Sequence, residues 1–307
     1  MTGDRGAAPR DRAVPANPAR VRFIGNPISG ASRGRGFAGV AAAAIRRGTF
    51  DYDVVTTAEP GDGEALARQA VAAGCDLVVA VGGDGTVNEV ARGLLGQQAS
   101  ALGIVPCGSG NGLARHLGVP LRPERAVRAL VNAETRFIDV GHINERPFFC
   151  TAGLGFDAHV SRAFAGAGRR GLRTYVAVTL REFRAYRPTP ARIEVNGQAI
   201  DTDCYVLAFA NAAQYGNNAY IAPLADVQDG LLDLCLIDAL PLRRALRVSY
   251  ALAVGDLPTS GAAEFHTARD VRVNTARPIG FHVDGDYAGE AEEFIVGLTP
   301  LALKVAV

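Results

Sequence analysis

Lysine is almost absent from this 307-residue sequence, in which Lys304 is the only lysine among 32 basic residues. A Walker A phosphate loop, a protein kinase site and a Schiff-base or pyridoxal phosphate enzyme each need a lysine at a defined position. Lys304 lies close to the C-terminus and belongs to no such motif, so these classes are excluded. Because the arginine excess is consistent with a genomic bias, arginine counts carry little weight.

The sequence also lacks the residue spacings of metal-binding and disulfide-rich proteins. Its five cysteines form no CxxC pair and are odd in number, and its five histidines form no HExxH motif. We therefore predict no zinc site, and we interpret the cysteines as buried free thiols of a reducing compartment. They are Cys75, Cys107, Cys150, Cys204 and Cys235.

Long apolar runs and a strong excess of one charge are missing too. No stretch reaches the length of a membrane span. Residues 1–19 lack the apolar core of a secretory signal and contain acids that fit a mitochondrial presequence poorly. The net charge of +1 argues against nucleic acid as a partner. The sequence predicts a cytoplasmic protein with a disordered tail over residues 1–19.

Residues 20–141 alternate between short apolar segments and amphipathic ones, which predicts a Rossmann-like α/β domain with an open sheet. The segment DLVVAV at 76–81 is so apolar that both faces of this strand must be buried, as in a parallel sheet. Strands are predicted at 21–25, 52–57, 76–81 and 102–106, and helices at about 34–47, 64–74, 86–95, 113–118 and 123–132.

Residues 142–307 predict a second, β-rich and sandwich-like domain, whose last residues are able to pack back on the first domain. Asn196-Gly197, between alternating apolar residues, indicates a hairpin. Helical insertions are expected near 156–187 and 241–254. Strands are predicted at 136–144, 146–153, 191–200, 203–212, 230–237, 268–276, 279–286 and 292–298.

The sharpest motif is GGDGTVNEV, residues 82–90, directly after the buried strand. Its glycines allow a tight turn and a close approach of a ligand. Asp84 and Thr86 open a helix, and the unpaired amides at the start of a helix suit an anion such as phosphate. The alternative is an ordinary glycine-rich turn in which Asp84 caps the helix.

Further turns favour phosphate binding. NPISG (26–30) follows the first strand, Thr56 and Thr57 end the second, and CGSGNG (107–112) follows the strand 102–106. If the strands are parallel, all these turns lie at one edge of the sheet, where ligands of open α/β sheets bind. Amides and hydroxyls there could hold a nucleotide without lysine, unless the turns are ordinary loops.

NPISG, GGDGTVNEV and GSGNGLARHLG, in this order and spacing, resemble the diacylglycerol kinase catalytic-domain family, which includes bacterial lipid kinases, sphingosine kinases and ceramide kinases. The resemblance continues in GLGFDA (153–158), in NAAQYGNNAYIAPLADVQDGLLDL (211–234) and in HVDGD (282–286). It covers about residues 20–307.

The resemblance implies an ATP-dependent lipid kinase that transfers the γ-phosphoryl group to a lipid hydroxyl, of diacylglycerol or of a sphingoid or ceramide-type lipid. It implies Mg²⁺ as a cofactor, catalysis in a cleft between the two domains, and a peripheral enzyme that contacts the membrane surface transiently. Asp84 would lie close to the phosphates or their magnesium. The implied ATP-binding residues are Asn26, Thr57, Gly82, Gly83, Asp84, Gly85, Thr86, Val87, Asn88 and Ser109.

The resemblance also assigns roles in the second domain. Asp286, the last acid of the sequence DGD, would be the general base that takes the proton of the lipid hydroxyl. Judged on its residues alone, Asp284-Gly285-Asp286 is as well explained by a β-turn. A structural Mg²⁺ would be bound through oxygen ligands. Its implied ligands are Asp226, Asp229 and Leu231.

Two positions depart from the family pattern. Asp286 stands where the family usually has Glu, so its carboxylate reaches one methylene less far. Gly112 stands where the diacylglycerol-type GTGND motif has Asp, and GSGNG is closer to the GSGNA of sphingosine kinases. The acceptor lipid is therefore left open.

The segment 161–187 contains seven arginines and a single acid, Glu182. It could form a basic amphipathic surface for anionic lipid. The alternative is a helix that packs on the core and leaves its arginines in solvent. The residues of the predicted apolar face are Leu172, Tyr175, Val176, Val178, Thr179, Leu180 and Phe183.

Two other functions stay open. One is a kinase of a soluble substrate of the NAD kinase type, which shares the GGDG turn; the other is a non-catalytic nucleotide- or lipid-binding regulator. GSGNGLAR and the DGLLD and DGD sequences favour the lipid kinase. Arg115 is a candidate to neutralise phosphate in place of lysine. A homo-oligomer is neither predicted nor excluded.

Overall fold

The protein is described by a computed structural model that covers residues 14–15, 20–27, 50–166, 172–183, 185–238 and 242–307. These residues fall into two compact units. The N-terminal unit comprises Pro9–Asp139 together with Pro300–Val307, and the C-terminal unit contains Val140–Thr299.

Strands and helices are numbered along the chain. The strands are β1 (Val14–Pro15), β2 (Arg20–Gly25), β3 (Asp51–Thr56), β4 (Leu77–Gly82), β5 (Ala101–Pro106), β6 (Glu134–Ile143), β7 (Arg146–Phe148), β8 (Thr151–Gly155), β9 (Thr189–Val195), β10 (Gln198–Cys204), β11 (Val206–Ala210), β12 (Leu232–Ile237), β13 (Glu264–Ala268), β14 (Asp270–Val283) and β15 (Asp286–Ala306). The described helices are α1 (Asp62–Ala72), α2 (Asp84–Gly93), α3 (Gly112–His116), α4 (Pro123–Leu130), α5 (Phe156–Ala165), α6 (Leu172–Phe183) and α7 (Leu242–Val254).

The N-terminal unit is an α/β fold, as predicted. Strands β2 to β5 are parallel in the order β5-β4-β2-β3, and every residue of β4 and β5 is buried. Helices cover such a sheet on its faces, which explains why these strands are apolar throughout rather than alternating. The core joins β2, β4 and β5 to α4 through residues such as Phe23, Val79 and Leu130.

The end of the chain completes the sheet of the N-terminal unit. Val305 of β15 pairs in parallel with Leu102 of β5, and Val307 exchanges two backbone hydrogen bonds of 2.9 Å with Glu134. The buried Asp139 accepts a hydrogen bond of 2.8 Å from the Leu301 amide. Residues 300–307 are thus part of this unit although they are last in the sequence.

The segment predicted as an N-terminal tail contains one short strand. Val14–Pro15 form the short strand β1, which pairs antiparallel with Glu134 and Thr135. Residues 1–13 and 16–19 lie outside the described part of the chain, as does the helix predicted at about 34–47.

The C-terminal unit is β-rich, as predicted. Its strands are antiparallel in the order β13-β12-β11-β8-β14-β15, and β9 pairs with both β14 and β10. Strand β9 alternates between buried and exposed residues, which is typical of a sheet with one face on the core. Asn196-Gly197 forms the predicted hairpin turn, in which both residues have positive φ. The predicted helical insertions are α5 with α6, and α7.

Several strands of the C-terminal unit differ from the prediction. The segments 268–276 and 279–286 form one strand, β14, because a register shift between Asn274 and Ile279 interrupts the hydrophobic pattern without ending the pairing. The predicted strand 146–153 divides into β7 and β8. Strand β13 was not predicted, since EFHTA lacks a clear alternation.

Four cysteines are free thiols, as predicted. Cys75, Cys150 and Cys235 are buried and Cys107 is partly exposed, whereas the side chain of Cys204 lies outside the described part. Burial raises the pKa of the Cys75 and Cys235 thiols. A thiol with a raised pKa is a poor nucleophile, so neither of these two is a candidate for covalent catalysis.

The arginine-rich segment 161–187 folds into α5 and α6. Val178 packs against Phe156, Val160 and Tyr205, whereas Leu180 is 59% exposed. The side chains of Leu172, Tyr175 and Val176, which belong to the predicted apolar face, lie outside the described part. Helix α6 therefore packs on its own unit and still presents a leucine to solvent. Within the described ranges, no helix combines the length and apolar character needed to cross a bilayer.

Tyr205 has a buried hydroxyl in this aromatic cluster. Its ring stacks on Phe156 at 5.0 Å and meets Tyr186 edge-on at 5.4 Å, and among the described residues its hydroxyl has no hydrogen-bond partner. Burial raises the pKa of Tyr205 to about 12. Since the folded state favours the protonated hydroxyl, this contribution to stability is complete below pH 10.0 and is lost as the pH rises toward about 12.

We expect Tyr205→Phe to raise the free energy of unfolding by about 1 kcal/mol at neutral pH, because it removes an unsatisfied buried polar group. The variant should also lose part of the alkaline fall in stability above pH 10. Urea unfolding at a series of pH values measures both effects. Tyr250→Phe, at a tyrosine that is 70% exposed, is the control and should change neither. An unchanged alkaline profile in Tyr205→Phe would contradict the assignment.

Candidate functional site

The carboxyl ends of four parallel strands bring the predicted turns to one edge of the N-terminal sheet. Backbone hydrogen bonds join neighbouring strand ends, with Asn26 bound to Val81 at 3.1 Å and Cys107 bound to Gly82 at 2.8 Å. Thr57, which is buried, donates its amide to the carbonyl of Gly25 at 3.0 Å. The prediction that these turns share an edge is confirmed.

Two glycine-rich turns touch through their backbones. A Cβ atom placed on Gly108 would lie 2.6 Å from the Cα of Gly83, and one on Gly83 would lie 3.3 Å from the Cα of Gly108. A side chain at either position would push the turns apart. Glycine is therefore required here for close approach of backbone, and the resulting surface exposes peptide groups rather than side chains.

Asp84 fastens the second turn to the first. Its carboxylate accepts hydrogen bonds from the amides of Asn111, at 2.8 Å, and Gly112, at 2.6 Å. Gly83, not Asp84, is the N-cap of α2, and it makes no side-chain cap. The alternative interpretation of Asp84 as a helix cap is therefore wrong. Its carboxylate instead fixes the GSGNG turn beside the N-terminus of the helix.

Asn111 shapes the GSGNG turn from inside, a role that the sequence reasoning missed. Its backbone is left-handed, with φ of 54°. Its side chain accepts a hydrogen bond from the Gly108 amide at 3.0 Å and donates one to the Gly108 carbonyl at 2.8 Å. Asparagine tolerates the left-handed region better than most residues, so its place among glycines was an available signal.

Glu89, the acid of GGDGTVNEV, holds a third turn. Its carboxylate accepts hydrogen bonds from the amides of Gly61, at 2.9 Å, and Gly63, at 3.0 Å, at the start of α1. A Cβ on Gly63 would overlap the Glu89 side chain. One motif thus positions two neighbouring turns, through Asp84 and through Glu89.

The remaining predicted nucleotide residues lie in the same unit with different exposure. Thr86 and Val87 are buried, and the Thr86 side chain occupies the space next to Gly82. Asn26, Gly85 and Asn88 are partly exposed and Ser109 is exposed. The side chains of Thr86 and Val87 therefore serve packing, and the accessible surface of these turns is formed by backbone together with Asn26, Asn88 and Ser109. Residues 28–30 of NPISG lie outside the described part.

In the C-terminal unit, Asp284-Gly285 forms a tight hairpin turn between β14 and β15. Both residues have positive φ, 48° and 87°, and Val283 pairs with Asp286 across the turn. These angles are typical of a type I′ turn. The turn interpretation is correct, and it does not compete with a functional role for Asp286.

The two acids of DGD have different surroundings. The Asp284 carboxylate accepts hydrogen bonds of 2.8 to 3.2 Å from the amides of Phe149, Cys150 and Thr151. Asp286 begins β15 and is exposed. Asp284 therefore anchors the turn to the segment before β8, whereas Asp286 is presented to solvent.

The implied magnesium ligands lie in one turn. Asp226 accepts a hydrogen bond from the Gln228 amide and Asp229 accepts one from the Leu231 amide, each at 3.0 Å. Carboxylate and carbonyl oxygens suit Mg²⁺ in kind. No group of three or more His, Cys, Asp or Glu side chains with metal-binding geometry occurs in the described ranges. The fit thus requires peptide carbonyls and water to supply most of the oxygens.

Comparison with known proteins identifies two family domains in the chain. Residues 20–143 match the diacylglycerol kinase catalytic domain, and residues 150–307 match the YegS C-terminal NAD kinase beta sandwich-like domain. A YegS-like lipid kinase of Chromohalobacter salexigens is 33% identical over 85% of this chain and 86% of its own. A diacylglycerol kinase of Mycobacterium tuberculosis is 32% identical over 93% of this chain and 94% of its own.

Solved structures show the same fold. A Bacillus anthracis protein described as a diacylglycerol kinase aligns with a TM-score of 0.78 at 19% identity, covering 94% of this chain and 95% of its own. An NAD kinase of Archaeoglobus fulgidus in complex with ATP aligns with a TM-score of 0.52 at 15% identity, covering 93% and 92%. The chain belongs to the diacylglycerol kinase catalytic-domain family, with the β-sandwich-like C-terminal domain of its YegS-like lipid kinases.

Proposed function

We propose that this protein is an ATP-dependent lipid kinase that transfers the γ-phosphoryl group to a lipid hydroxyl. Diacylglycerol is the first candidate acceptor, because relatives from Mycobacterium tuberculosis and Bacillus subtilis are diacylglycerol kinases. A sphingoid or ceramide-type lipid is the second, because GSGNG, which ends in Gly112, is closer to the GSGNA of sphingosine kinases than to GTGND. The observation that carries the proposal is the pair of glycine turns that Asp84 joins at the N-terminus of α2.

The N-terminal unit would bind ATP without lysine. Exposed peptide groups of the Gly83 and Gly108 turns and the first amides of α2 offer hydrogen bonds and a positive dipole end to phosphate. Arg115 donates to the carbonyl of Gly110 at 3.0 Å, so its charge belongs to the same turn. The exposed Ser109 hydroxyl would add a side-chain contact.

Magnesium would bind at two places in this proposal. Asp84 would lie near the metal that accompanies ATP. Asp226, Asp229 and the carbonyl of Leu231 would hold a structural ion in their turn. The metal that accompanies ATP would neutralise phosphate charge. Positioning of the reactants together with charge neutralisation is most of what phosphoryl transfer needs.

In the C-terminal unit, Asp286 would act as the general base. Its carboxylate would take the proton of the lipid hydroxyl while the hydroxyl oxygen attacks the γ-phosphorus and ADP leaves. Its exposure at the start of β15 leaves room for an acceptor. Asp284 would hold the turn in place rather than take the proton, since its carboxylate already accepts three amides.

The test is mass spectrometry of total lipids after incubation with enzyme, ATP and magnesium, with an NAD arm in parallel. We expect a phosphorylated lipid and no NADP. Asp84→Asn should abolish most of the product, because an amide nitrogen would face a backbone N–H. Asp51→Asn, which removes an exposed acid of the same unit, is the control. Formation of NADP alone would favour the NAD kinase type, and no product from any acceptor would favour the regulator.

We further propose that α6 contacts anionic membrane transiently. Leu180 is 59% exposed beside Arg181, whose side chain is 68% exposed and forms an ion pair of 2.8 Å with Glu182. An exposed leucine next to a cation is suited to the interface of an anionic bilayer. Leu180→Ser should lower co-sedimentation with phosphatidylglycerol vesicles several-fold, by loss of about 1 kcal/mol or more of apolar burial. Leu121→Ser, at a leucine that is 42% exposed in the other unit, is the control. Equal binding of both variants would contradict the proposal.

A further inference from the structure

A buried histidine lies between the proposed base and the first turn of α5. His282 is 1% exposed and Asp157 is 9% exposed, and the Nε2 atom of His282 lies 3.1 Å from Oδ2 of Asp157. The Gly285 amide donates to Nδ1 of His282 at 3.3 Å. Gly285 directly precedes Asp286, so the imidazole connects Asp157 to the turn that presents the proposed base.

The two contacts assign the proton of the imidazole. Because the Gly285 N–H donates to Nδ1, that nitrogen is the acceptor and Nε2 carries the hydrogen. Nε2 therefore donates to Asp157. Proteins commonly orient a histidine in this way. A carboxylate accepts the hydrogen of one ring nitrogen, and this fixes the tautomer and leaves the other nitrogen as an acceptor.

Asp157 is itself held in place. The Tyr215 hydroxyl donates to its Oδ2 at 3.1 Å, and the Ala158 amide donates to its Oδ1 at 2.8 Å. Gly153 of β8 pairs with His282 of β14. A Cβ on Gly153 would overlap both Asp157 and His282. The glycine in GLGFDA therefore provides the space that this pair occupies.

Packing alone does not account for a buried histidine and carboxylate here. Burying such a pair has a desolvation penalty that its mutual attraction often fails to exceed, and apolar side chains of similar volume are commonly as stable. What a polar pair adds is a directional hydrogen bond. Here that hydrogen bond joins His282 to the amide of Gly285, the residue directly before Asp286.

We infer that the Asp157–His282 pair, supported by Tyr215, positions the Asp284–Asp286 turn for proton transfer. His282 is a positioning residue and Asp286 the group that meets the lipid hydroxyl. This inference rests on the proposed function for the role of Asp286. It adds that two sets of hydrogen bonds hold the turn. The Asp284 carboxylate accepts from the amides of Phe149 to Thr151, and the His282 imidazole accepts from the Gly285 amide.

Three substitutions divide the roles of the imidazole. His282→Phe keeps the ring volume and removes both contacts. His282→Asn keeps an acceptor near the Nδ1 position, and His282→Gln keeps a donor able to reach Asp157. Since a misplacement of about 1 Å can cost about 10²-fold in rate, we expect kcat for lipid phosphorylation to fall about 10²-fold in His282→Phe. It should fall less in His282→Asn, with the KM for ATP almost unchanged in all three.

A second readout does not depend on activity. Hydrogen exchange of the Gly285 and Asp286 amides, followed by mass spectrometry, should accelerate in His282→Phe and in the milder Tyr215→Phe. His266→Gln is the matched control, because His266 also contacts a carboxylate, Glu264 at 2.8 Å, in the same unit. It should alter neither kcat nor exchange of the turn.

The outcomes separate the two proposals. If the wild type phosphorylates lipid and His282→Phe keeps full kcat while it folds, the positioning role is overturned and the lipid kinase stands. If the wild type phosphorylates no lipid, the proposed function fails. Hydrogen exchange of the turn amides then decides whether the Asp157–His282 pair holds the turn. Unchanged exchange in both His282→Phe and Tyr215→Phe overturns the inference in either case. If His282→Phe does not fold, Tyr215→Phe and His282→Asn decide it by the same measurements.

Discussion

Gly108→Ala is expected to raise the Kd for ATP about 10²-fold, because an added Cβ would lie 2.6 Å from the Cα of Gly83 and displace one turn from the other. The displacement also strains the contacts of Asn111 with Gly108, so the cost in the free energy of unfolding should be about 1–3 kcal/mol. Isothermal titration with ATP and thermal unfolding of the same sample measure the two effects separately.

A graded series makes this prediction sharper. Gly83→Ala adds a Cβ at 3.3 Å from the Cα of Gly108, so it should weaken ATP binding less than Gly108→Ala. Gly166→Ala places a Cβ 3.7 Å from the nearest carbonyl, an ordinary contact, and should change nothing. If Gly108→Ala binds ATP as tightly as Gly166→Ala, then the contact between the turns does not form the nucleotide site.

Asp286→Asn is expected to lower kcat for lipid phosphorylation by about 10²–10⁴-fold, the range for loss of a positioned general base. The KM for ATP should stay nearly constant, since the proposed nucleotide contacts belong to the N-terminal unit. Stability should change little, because Asp286 is exposed and the hairpin turn is fixed by Asp284 and Gly285. Initial rates at saturating ATP, with the acceptor found by mass spectrometry, provide the measurement.

Two further variants test the assignment of roles within DGD. Asp286→Glu keeps a carboxylate, placed one methylene farther from the backbone. Glu is the residue that the family usually has at this position, so this variant should keep most of the activity. Asp284→Asn should lower the unfolding temperature, because the carboxylate that accepts three backbone amides loses its charge. Full activity in Asp286→Asn would exclude it as the base.

The sequence was sufficient for features that depend on neighbouring residues. The turn at 82–88, the strand before it and the parallel direction of the strands follow from glycine spacing and from an unbroken apolar run. The family resemblance extended the fold prediction to about residues 20–307. The parts that the sequence could not supply are those that join residues far apart in the chain.

Glu89 and His282 illustrate that limit. The Glu89 carboxylate accepts hydrogen bonds from the amides of Gly61 and Gly63, and nothing in the residues around Glu89 indicates these partners. His282 meets Asp157 across 125 positions, and only the fold brings them together. Asp84 was predicted to lie near the phosphates, but its hydrogen bonds with the amides of Asn111 and Gly112 in another turn could not be predicted from the residues beside it.

Strand β15 makes the N-terminal unit depend on residues that are synthesised long after the rest of its sheet. During synthesis, the nascent N-terminal half has no pairing partner for β5 at the position of Val305 until residues 300–307 leave the ribosome. Until then an apolar sheet edge is open to other chains, which is a recognised route to aggregation. Loss of residues 300–307 would therefore damage the unit that is translated first.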